Sequence, residues 1–162
     1  MQPLVIFQLM ILLMVANGTP VIVKKLLGNR FSQPIDGRVR WVDRQPLLGS
    51  SKTIRGIVLS ILATSACAPL VGLEWQLGVA VGSVAMAGDL CASFVKRRLK
   101  FPAGSRATGL DQIPESLFPI LACAKALSLT VTDIMLSVSI FFFSEVVLSR
   151  LLYRFRLRDR PY

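Results

Sequence analysis

Long apolar stretches separated by polar connections run through this chain. Five of them, at roughly residues 3–27, 54–73, 77–95, 113–128 and 131–152, come near the length of about 20 residues that lets a helix cross a bilayer. The pattern predicts an all-α integral membrane protein with about five transmembrane helices. We expect one domain over residues 1–162, with two larger polar loops at about 28–53 and 99–112.

The cations are distributed unevenly between the two sides of these stretches. Eighteen of the 19 Lys and Arg residues lie in the connection between the first two stretches, in the connection between the third and fourth, or after the fifth. The opposite connections hold only Glu74, Lys125 and Asp133. Because cytoplasmic loops carry an excess of Lys and Arg, we predict that the N-terminus is outside and that both larger loops and the C-terminus are cytoplasmic.

Composition supports this class and excludes several functions. The chain is 53% hydrophobic, and its mean hydropathy is +0.60. The net charge of +10 is explained by orientation and by attraction to anionic lipids, and the cations form no basic face suited to nucleic acid. The absence of histidine excludes a His-based triad and a His-ligated zinc site. Cys67, Cys91 and Cys123 fall inside apolar stretches without metal-site spacing.

The segment from Gly88 to Arg98 places an acid inside an apolar stretch that ends in three cations. In a helix, Asp89, Ser93 and Lys96 or Arg97 share one face. A carboxylate at membrane depth is a functional-site hypothesis by default, and this combination suits a metal–phosphate ligand. A polar contact between two helices explains the same residues equally well.

Two loop motifs imitate known phosphate chemistry. Residues 49–53, Gly-Ser-Ser-Lys-Thr, look like the end of a P-loop, but the first glycine is missing and a membrane helix follows, so we reject a nucleotidase signature. A helix start near Ser51 with Lys52 and Arg55 nonetheless favours an anion, and interfacial anchoring is the alternative. Residues 36–40 resemble the start of the CDP-alcohol phosphotransferase motif. The next helix contains no acid, which disfavours that family.

Polar residues also mark the first and fourth stretches. Residues 17–20, Asn-Gly-Thr-Pro, interrupt the first one, where the proline frees a carbonyl that a neighbour or water must satisfy. A polar pocket lining and a packing kink are equally good interpretations. Asp111 is placed as a helix cap before Pro114, or it meets Asp89 across a metal site. Glu145, in the fifth stretch, is best interpreted as a helix contact.

Together these motifs resemble the CTP:lipid-phosphate cytidylyltransferase superfamily, and its CDP-archaeol synthase branch above all. The resemblance runs from about Asn17 to Leu152. It rests on the following segments in order: 17–20, 34–36, 43–56, and the series Gly88-Asp89, Ser93, 96–98 and Asp111. Phosphatidate cytidylyltransferases carry a histidine-containing stretch after the basic run, which is absent here and favours the archaeol-type branch. Pro114-Glu115 departs from the acid pattern of archaeal members.

The resemblance implies an Mg²⁺-dependent transfer of CMP from CTP to a membrane lipid phosphate, archaeol-type or phosphatidate-like, which yields a CDP-lipid and pyrophosphate. It implies catalytic roles for Asp89, Lys96 and Asp111, with Mg²⁺ bound by Asp89 and Asp111. The implied substrate-binding residues are Asn17, Asp36, Lys52, Thr53, Arg55, Ser93, Arg97, Arg98 and Gln112.

The implied location is the cytoplasmic (inner) membrane, with the active site facing the cytoplasm. The alternative function is a non-enzymatic transporter or assembly subunit that uses Asp89 as a polar contact. An odd number of spans without a repeat disfavours a symmetric carrier. The lipid chain chemistry, the number of metal ions and the formation of a homodimer are left open by the sequence.

Overall fold

In the computed structural model, which describes residues 1–28, 30–105 and 107–154, the chain forms five helices. They are α1 (Pro3–Leu27), α2 (Ile54–Leu70), α3 (Trp75–Arg98), α4 (Gln112–Ala124) and α5 (Val131–Arg154). The predicted all-helical class and the five elements are confirmed. Arg106 and the cations of 155–162, which entered the charge argument, lie outside the described residues.

Within the described ranges, three helical segments are long and apolar enough to span a membrane. They are Pro3–Leu27, Trp75–Arg98 and Val131–Arg150. Helix α2 is apolar but has only 17 residues, and α4 has 13. The fourth stretch, expected to be the shortest, ends as a helix at Ala124 rather than near residue 128.

Helix α1 runs without a break through the predicted interruption at residues 17–20. Pro20 has no N–H to donate to the carbonyl of Ala16, four residues earlier. The Ser60 hydroxyl of α2 donates to that carbonyl oxygen over 2.6 Å. The side-chain amide of Asn17 and the hydroxyl of Thr19 donate to main-chain carbonyls of their own helix. The neighbour that the proline required is therefore Ser60.

Glycines bring α3 close to both of its neighbours. A Cβ atom added at Gly78 would lie 2.6 Å from the carbonyl oxygen of Thr64 in α2. A Cβ atom added at Gly88 would collide with the carbonyl group of Pro114 in α4. Because main chain cannot move aside as a flexible side chain can, these positions accept only glycine at the observed helix spacing.

Apolar side chains of α1 form the centre of the core. Leu9, Leu12 and Leu13 are fully buried, together with Ile120 of α4 and Phe141 of α5. Outward-facing positions of α1 and α5 are large and apolar, for example Phe7 and Phe143. Apolar surface on the outside as well as inside is expected where lipid replaces water as the surrounding medium.

The loop between α1 and α2 folds by turns and local pairing. Its described residues contain two isolated antiparallel bridges, Pro34–Thr53 and Arg40–Pro46, and no strand. Residues 39–47 therefore form a hairpin-like turn without a regular ladder. The loop ends at Thr53, whose side chain caps α2, so the helix begins three residues after Ser51.

Candidate active site

A cavity of about 630 Å³ opens where the first loop meets the loop-side ends of α1, α2 and α3. Its charged lining consists of four cations, Lys24, Arg38, Lys52 and Arg55, and one acid, Asp89. Smaller polar residues complete the wall, namely Ser32, Ser50, Ser51 and Thr53. Met86 and Ile57 contribute apolar surface. A pocket with this excess of positive charge is suited to a polyanion.

Lys52 and Asp89 form the central ion pair of this cavity. The Lys52 ammonium lies 2.5 Å from both carboxylate oxygens of Asp89. Burial of Lys52 opposes its charged form, but the negative charge of Asp89 outweighs that effect and raises the pKa of Lys52 above its ordinary value. The positive charge of Lys52 in turn stabilises the carboxylate that the apolar helix α3 carries.

Main-chain pairing at the end of the first loop fixes the position of Lys52. The carbonyl of Lys52 accepts a hydrogen bond from the Ile35 amide at 2.9 Å, and the Ile54 amide donates to the carbonyl of Gln33. Thr53 then accepts a bond from the Gly56 amide as the cap of α2. The lysine is consequently held on an extended segment directly before a helix start, facing α3.

Asp36 organises the same loop from behind the cavity. Its carboxylate accepts hydrogen bonds from the amides of Arg38, Leu48 and Gly49, at 3.0, 3.0 and 2.9 Å. Burial opposes its ionisation, but these amide bonds hold the pKa of Asp36 below its usual range. Asp36 does not line the cavity. Its observed contacts fit a role in shaping the segment 48–53, rather than the direct substrate contact implied by the resemblance.

A second ion pair, between Lys96 and Asp111, closes the other loop. The Lys96 ammonium lies 2.5 Å from the Asp111 carboxylate and donates to the Ser105 carbonyl at 3.0 Å. Asp111 also accepts from the amide of Ala107, and the Gln112 side chain accepts from that of Gly109. Asp111 occupies the cap position of α4 as expected, but its carboxylate makes no capping bond to the helix. None of these residues lines the cavity.

Glu115 is a site residue whose position sequence reasoning did not predict. Its carboxyl is buried and hydrogen-bonded to that of Asp89. The contact follows from the packing of Gly88 on Pro114, because the residues that follow them, Asp89 and Glu115, then face each other. The sequence signal was a glycine before one buried acid and a proline before the other. Arg38 and Lys24, which line the cavity, were also not among the predicted site residues.

The remaining predicted residues differ in whether they line the cavity. Arg55 lines it and donates to the carbonyls of Gly28 and Arg30. Ser93 and Arg97 are buried in the last turns of α3. Arg98 pairs with Asp43 of the first loop at 3.0 Å. The structure therefore brings Lys52, Thr53, Arg55 and Asp89 into the lining of one cavity, which does not include Ser93, Lys96, Arg97, Arg98, Asp111 and Gln112.

Asn17 belongs to a different, largely apolar cavity. This cavity of about 400 Å³ lies between α1 and α5. Its lining includes Val21, Ile22 and Phe141, with Asn17 and Glu145 as polar members. Pro20 and Lys24, on another face of α1, belong to the basic cavity. Helix α1 thus has the polar cavity on one side and the apolar cavity on the other.

Comparison with known proteins identifies the family. A family model described as CDP-archaeol synthase (CarS-like) matches residues 70–162, more than half of the chain. The CDP-archaeol synthase of Sulfurisphaera tokodaii is 32% identical over 155 residues, which cover 92% of this chain and 90% of that protein. This chain belongs to the CDP-archaeol synthase family.

Other members agree with this assignment. The CDP-archaeol synthases of Hyperthermus butylicus and Aeropyrum pernix are 38% and 40% identical over segments covering 60% and 65% of this chain, and 59% and 60% of the relatives. A solved structure of an intramembrane enzyme for archaeal membrane lipids biosynthesis superposes with a TM-score of 0.71 and 28% identity, covering 85% of this chain and 90% of that one. With three apolar helices of spanning length, this family member is an integral membrane protein.

The donor set of the basic cavity fits a magnesium–phosphate complex better than a closed metal site. Among the described residues, no three or more His, Cys, Asp or Glu side chains lie close enough together to hold a metal. Mg²⁺ is typically bound by one or two carboxylates, with waters and substrate phosphates completing the octahedron. Asp89 supplies one such carboxylate on the cavity wall. The basic residues around it suit the phosphates that would bring the remaining oxygens.

Proposed function

We propose that this chain transfers CMP from CTP to a membrane lipid phosphate, yielding a CDP-lipid and pyrophosphate. The observation that carries the proposal is the basic cavity with the Lys52–Asp89 pair on its wall, in a chain of the CDP-archaeol synthase family. The first loop and the ends of three helices enclose the cavity, where a water-soluble nucleotide and a lipid headgroup can meet. A transporter or assembly subunit has no need of such a site.

The reaction is attack by an oxygen of the lipid phosphate on the α-phosphorus of CTP. The bond between the α-phosphorus and the bridging oxygen to the β-phosphate breaks, and pyrophosphate leaves with that electron pair. A phosphate monoester has a second pKa of about 6, so the nucleophile is already anionic at neutral pH. No general base is required, and the absence of histidine is compatible with this chemistry.

Positioning and charge neutralisation are the main tasks of the protein in such a transfer. We assign the triphosphate to Lys52, Arg55 and Arg38, whose side chains line one cavity. The amides before α2 and the hydroxyl-bearing Ser50 and Ser51 add hydrogen-bond donors near the same wall. Lys24, on α1, is placed to meet the phosphate of the lipid.

Asp89, on the cavity wall, is the proposed carboxylate for Mg²⁺. Asp111, which the resemblance also assigned to the metal, lies outside the cavity lining beside Lys96, and we assign it to holding the second loop. When bound, the metal supplies neutralisation of the charge that develops on the phosphate oxygens. In the described structure Lys52 occupies both oxygens of Asp89 and Lys96 pairs with Asp111. Each lysine thus compensates the charge of its carboxylate, and Lys52, on the cavity wall, is also placed to contact a bound phosphate.

The ordering of the second loop by Lys96, Asp111 and Gln112 supports a role for these residues in building the site. Lys96 and Asp111 join the end of α3 to the start of α4, beside the Asp89–Glu115 contact. Lys96, Asp111 and Gln112 bind the main chain of Ser105, Ala107 and Gly109 respectively, and loss of these bonds would release that part of the second loop. We therefore assign Lys96 and Gln112 to positioning, and Arg97 and Ser93 to the buried base of the same region.

The apolar cavity between α1 and α5 is the proposed location for part of the lipid chains. Its wall of Val21, Ile22, Leu148 and Phe141 is compatible with branched hydrocarbon. We propose that the chains approach sideways from the bilayer and that the basic cavity faces the cytoplasm, where CTP is found. An archaeol-type lipid phosphate is the favoured substrate, in keeping with the names of the relatives.

The test uses the full chain in lipid vesicles with labelled CTP, Mg²⁺ and lipid phosphates carrying ether-linked isoprenoid or diacyl chains. We expect Mg²⁺-dependent label in the lipid fraction, reduced at least about 100-fold by Asp89→Asn, since a site carboxylate contributes several kcal/mol to charge stabilisation. Asp43→Asn is the matched control, because Asp43 pairs with Arg98 outside the cavity and should retain activity. A folded protein that labels no lipid would contradict the proposal.

A further inference from the structure

The first loop carries a short hairpin, residues 39–47, that projects from the protein. The Trp41 amide donates to the carbonyl of Gln45 and the Arg44 amide to that of Trp41, both over 2.9 Å. The Leu47 amide donates to the carbonyl of Val39 at 3.0 Å, and Arg40 bridges to Pro46. These bonds fix the turn, so the side chains at its tip have defined directions.

The 39–47 hairpin is attached to the last turn of α3. Arg98 binds the carboxylate of Asp43 and donates to the carbonyl of Pro46 at 2.7 Å. The Arg98 guanidinium also lies 4.9 Å from the centre of the Phe94 ring, and Trp41 meets that ring edge-on at 5.7 Å. Phe94 precedes Arg98 by one helical turn, which corresponds to about 6 Å. Trp41 is therefore held level with the end of an apolar helix of membrane-spanning length.

The tip presents apolar and basic groups together. Val42 is 93% exposed, Val39 57% and Trp41 49%. Arg40 and Arg44 flank them and are also exposed. Tryptophan concentrates at the bilayer–water interface, and arginines next to the interface attract anionic lipids. No feature of the CMP-transfer site requires this surface, since none of these five residues lines either cavity.

We infer that the 39–47 hairpin is a lipid-binding element: Trp41 and Val42 enter the headgroup region of the membrane that the protein spans, and Arg40 and Arg44 bind anionic lipid headgroups there. Attachment to α3 supplies the correct depth, and the charges supply selectivity for anionic lipids. The hairpin would thereby fix the first loop against the bilayer surface at the entrance to the basic cavity.

Tryptophan fluorescence tests this inference without depending on activity. Trp41 and Trp75 are the two tryptophans of the chain, so Trp75→Phe leaves Trp41 as the only reporter. The protein is placed in vesicles in which either the anionic or the zwitterionic lipid carries bromine, at equal mole fraction. We expect the brominated anionic lipid to quench Trp41 about twofold more than the brominated zwitterionic lipid, because the arginines enrich anionic lipid locally.

The charge variants complete the test. Arg40→Gln/Arg44→Gln should make the quenching by the two lipids equal, and raised salt should do the same. Arg30→Gln/Lys100→Gln removes the same charge from exposed positions elsewhere in the loops and should preserve the difference. Equal quenching of the unaltered hairpin by both lipids would overturn the inference. Blue-shifted emission without quenching by either lipid would also overturn it and would place a second protein chain over the tip.

Discussion

At the residue scale, Lys52 and Asp89 depend on each other. Asp89 projects from an apolar helix. Among the described ion pairs its partner is Lys52, whose ammonium lies 2.5 Å from the carboxylate. Removing one partner of such a pair leaves the other charge without compensation. This loss destabilises the protein by more than the intact pair stabilises it. The position and the charge of Lys52 are therefore both needed to compensate Asp89 on the cavity wall.

The first prediction concerns this pair. Lys52→Met should lower CMP transfer by at least about tenfold and raise the KM for CTP, because a phosphate contact and the partner of Asp89 are lost together. Steady-state kinetics in vesicles measures both parameters. Lys25→Met is the control, because it removes a cation that lines the apolar cavity and not the basic one. This variant should retain the KM for CTP. An unchanged KM in Lys52→Met would remove Lys52 from the nucleotide site.

The second prediction concerns the acid sensitivity of the first loop. The folded-state pKa of Asp36 is below its usual value, so its contribution to stability is present above the unfolded pKa of about 4 and is lost as pH falls through the folded pKa. Proteolysis of the loop should therefore accelerate as the pH is lowered below about 4. Asp36→Asn should be cleaved faster at neutral pH and should lose this pH dependence. Identical pH profiles for the two proteins would contradict the assignment.

At the scale of elements, the packing of helices depends on main-chain groups as much as on side chains. Ser60 satisfies the carbonyl that Pro20 leaves without a donor, and glycines allow α3 to approach α2 and α4. In hydrocarbon an unsatisfied carbonyl has no water to replace the missing donor. Both features therefore decide whether the helices can pack as observed.

The third prediction is a thermodynamic cycle between α1 and α2. Ser60→Ala should destabilise the protein by about 1–2 kcal/mol, because the Ala16 carbonyl loses its partner. In the background of Pro20→Ala the same substitution should cost much less, since residue 20 then supplies an N–H to that carbonyl. Unfolding midpoints of the four proteins give the coupling energy. Equal costs in both backgrounds would show that Ser60 acts by packing alone.

The fourth prediction compares two helical glycines. Gly88→Ala should destabilise the protein by about 1–3 kcal/mol and separate Asp89 from Glu115, because the new methyl group meets the main chain of Pro114. Gly18→Ala is the matched control, since nothing lies within 4 Å of a Cβ atom there, and it should be neutral or slightly stabilising. Thermal unfolding measures both. Tolerance of alanine at residue 88 would contradict the observed spacing of α3 and α4.

At the scale of the whole molecule, the charge asymmetry predicts the orientation in the membrane. Both polar loops lie at the same end of the helices, since Arg98, directly before the second loop, pairs with Asp43 of the first. The connections at the other end are short, residues 71–74 and 125–130. The placement of the basic cavity at the loop end means that orientation also decides which compartment supplies the nucleotide.

The fifth prediction tests this orientation. With Cys67, Cys91 and Cys123 replaced by alanine, Thr108→Cys in the second loop should react with an impermeant maleimide only from the cytoplasmic side. Lys125→Cys, in the opposite connection, should react only from the outer side, and both positions are exposed. Labelling of right-side-out and inverted vesicles distinguishes the two. The reverse pattern would place the cavity outside the cytoplasm.

The sequence by itself determined the helices and the family, and it predicted four of the residues that line the basic cavity. Apolar length specifies a membrane helix directly, because every residue of such a helix satisfies its own main chain. For that reason helices α1, α2 and α5 begin at the predicted residues. Lys52, Thr53, Arg55 and Asp89 were identified because charges and polar groups next to or inside apolar stretches are costly without a function.

Only the tertiary structure decided which of these residues meet. The sequence left open whether Asp111 meets Asp89 or caps α4. In the structure Asp89 pairs with Lys52 and Glu115, while Asp111 pairs with Lys96. These partners are set by the contact of Gly88 with Pro114 and by the main-chain pairing of residues 33–35 with 52–54. Both are contacts between segments far apart in the chain. Local periodicity contains no information about them, because they depend on how closely and at what rotation two helices and a loop pack.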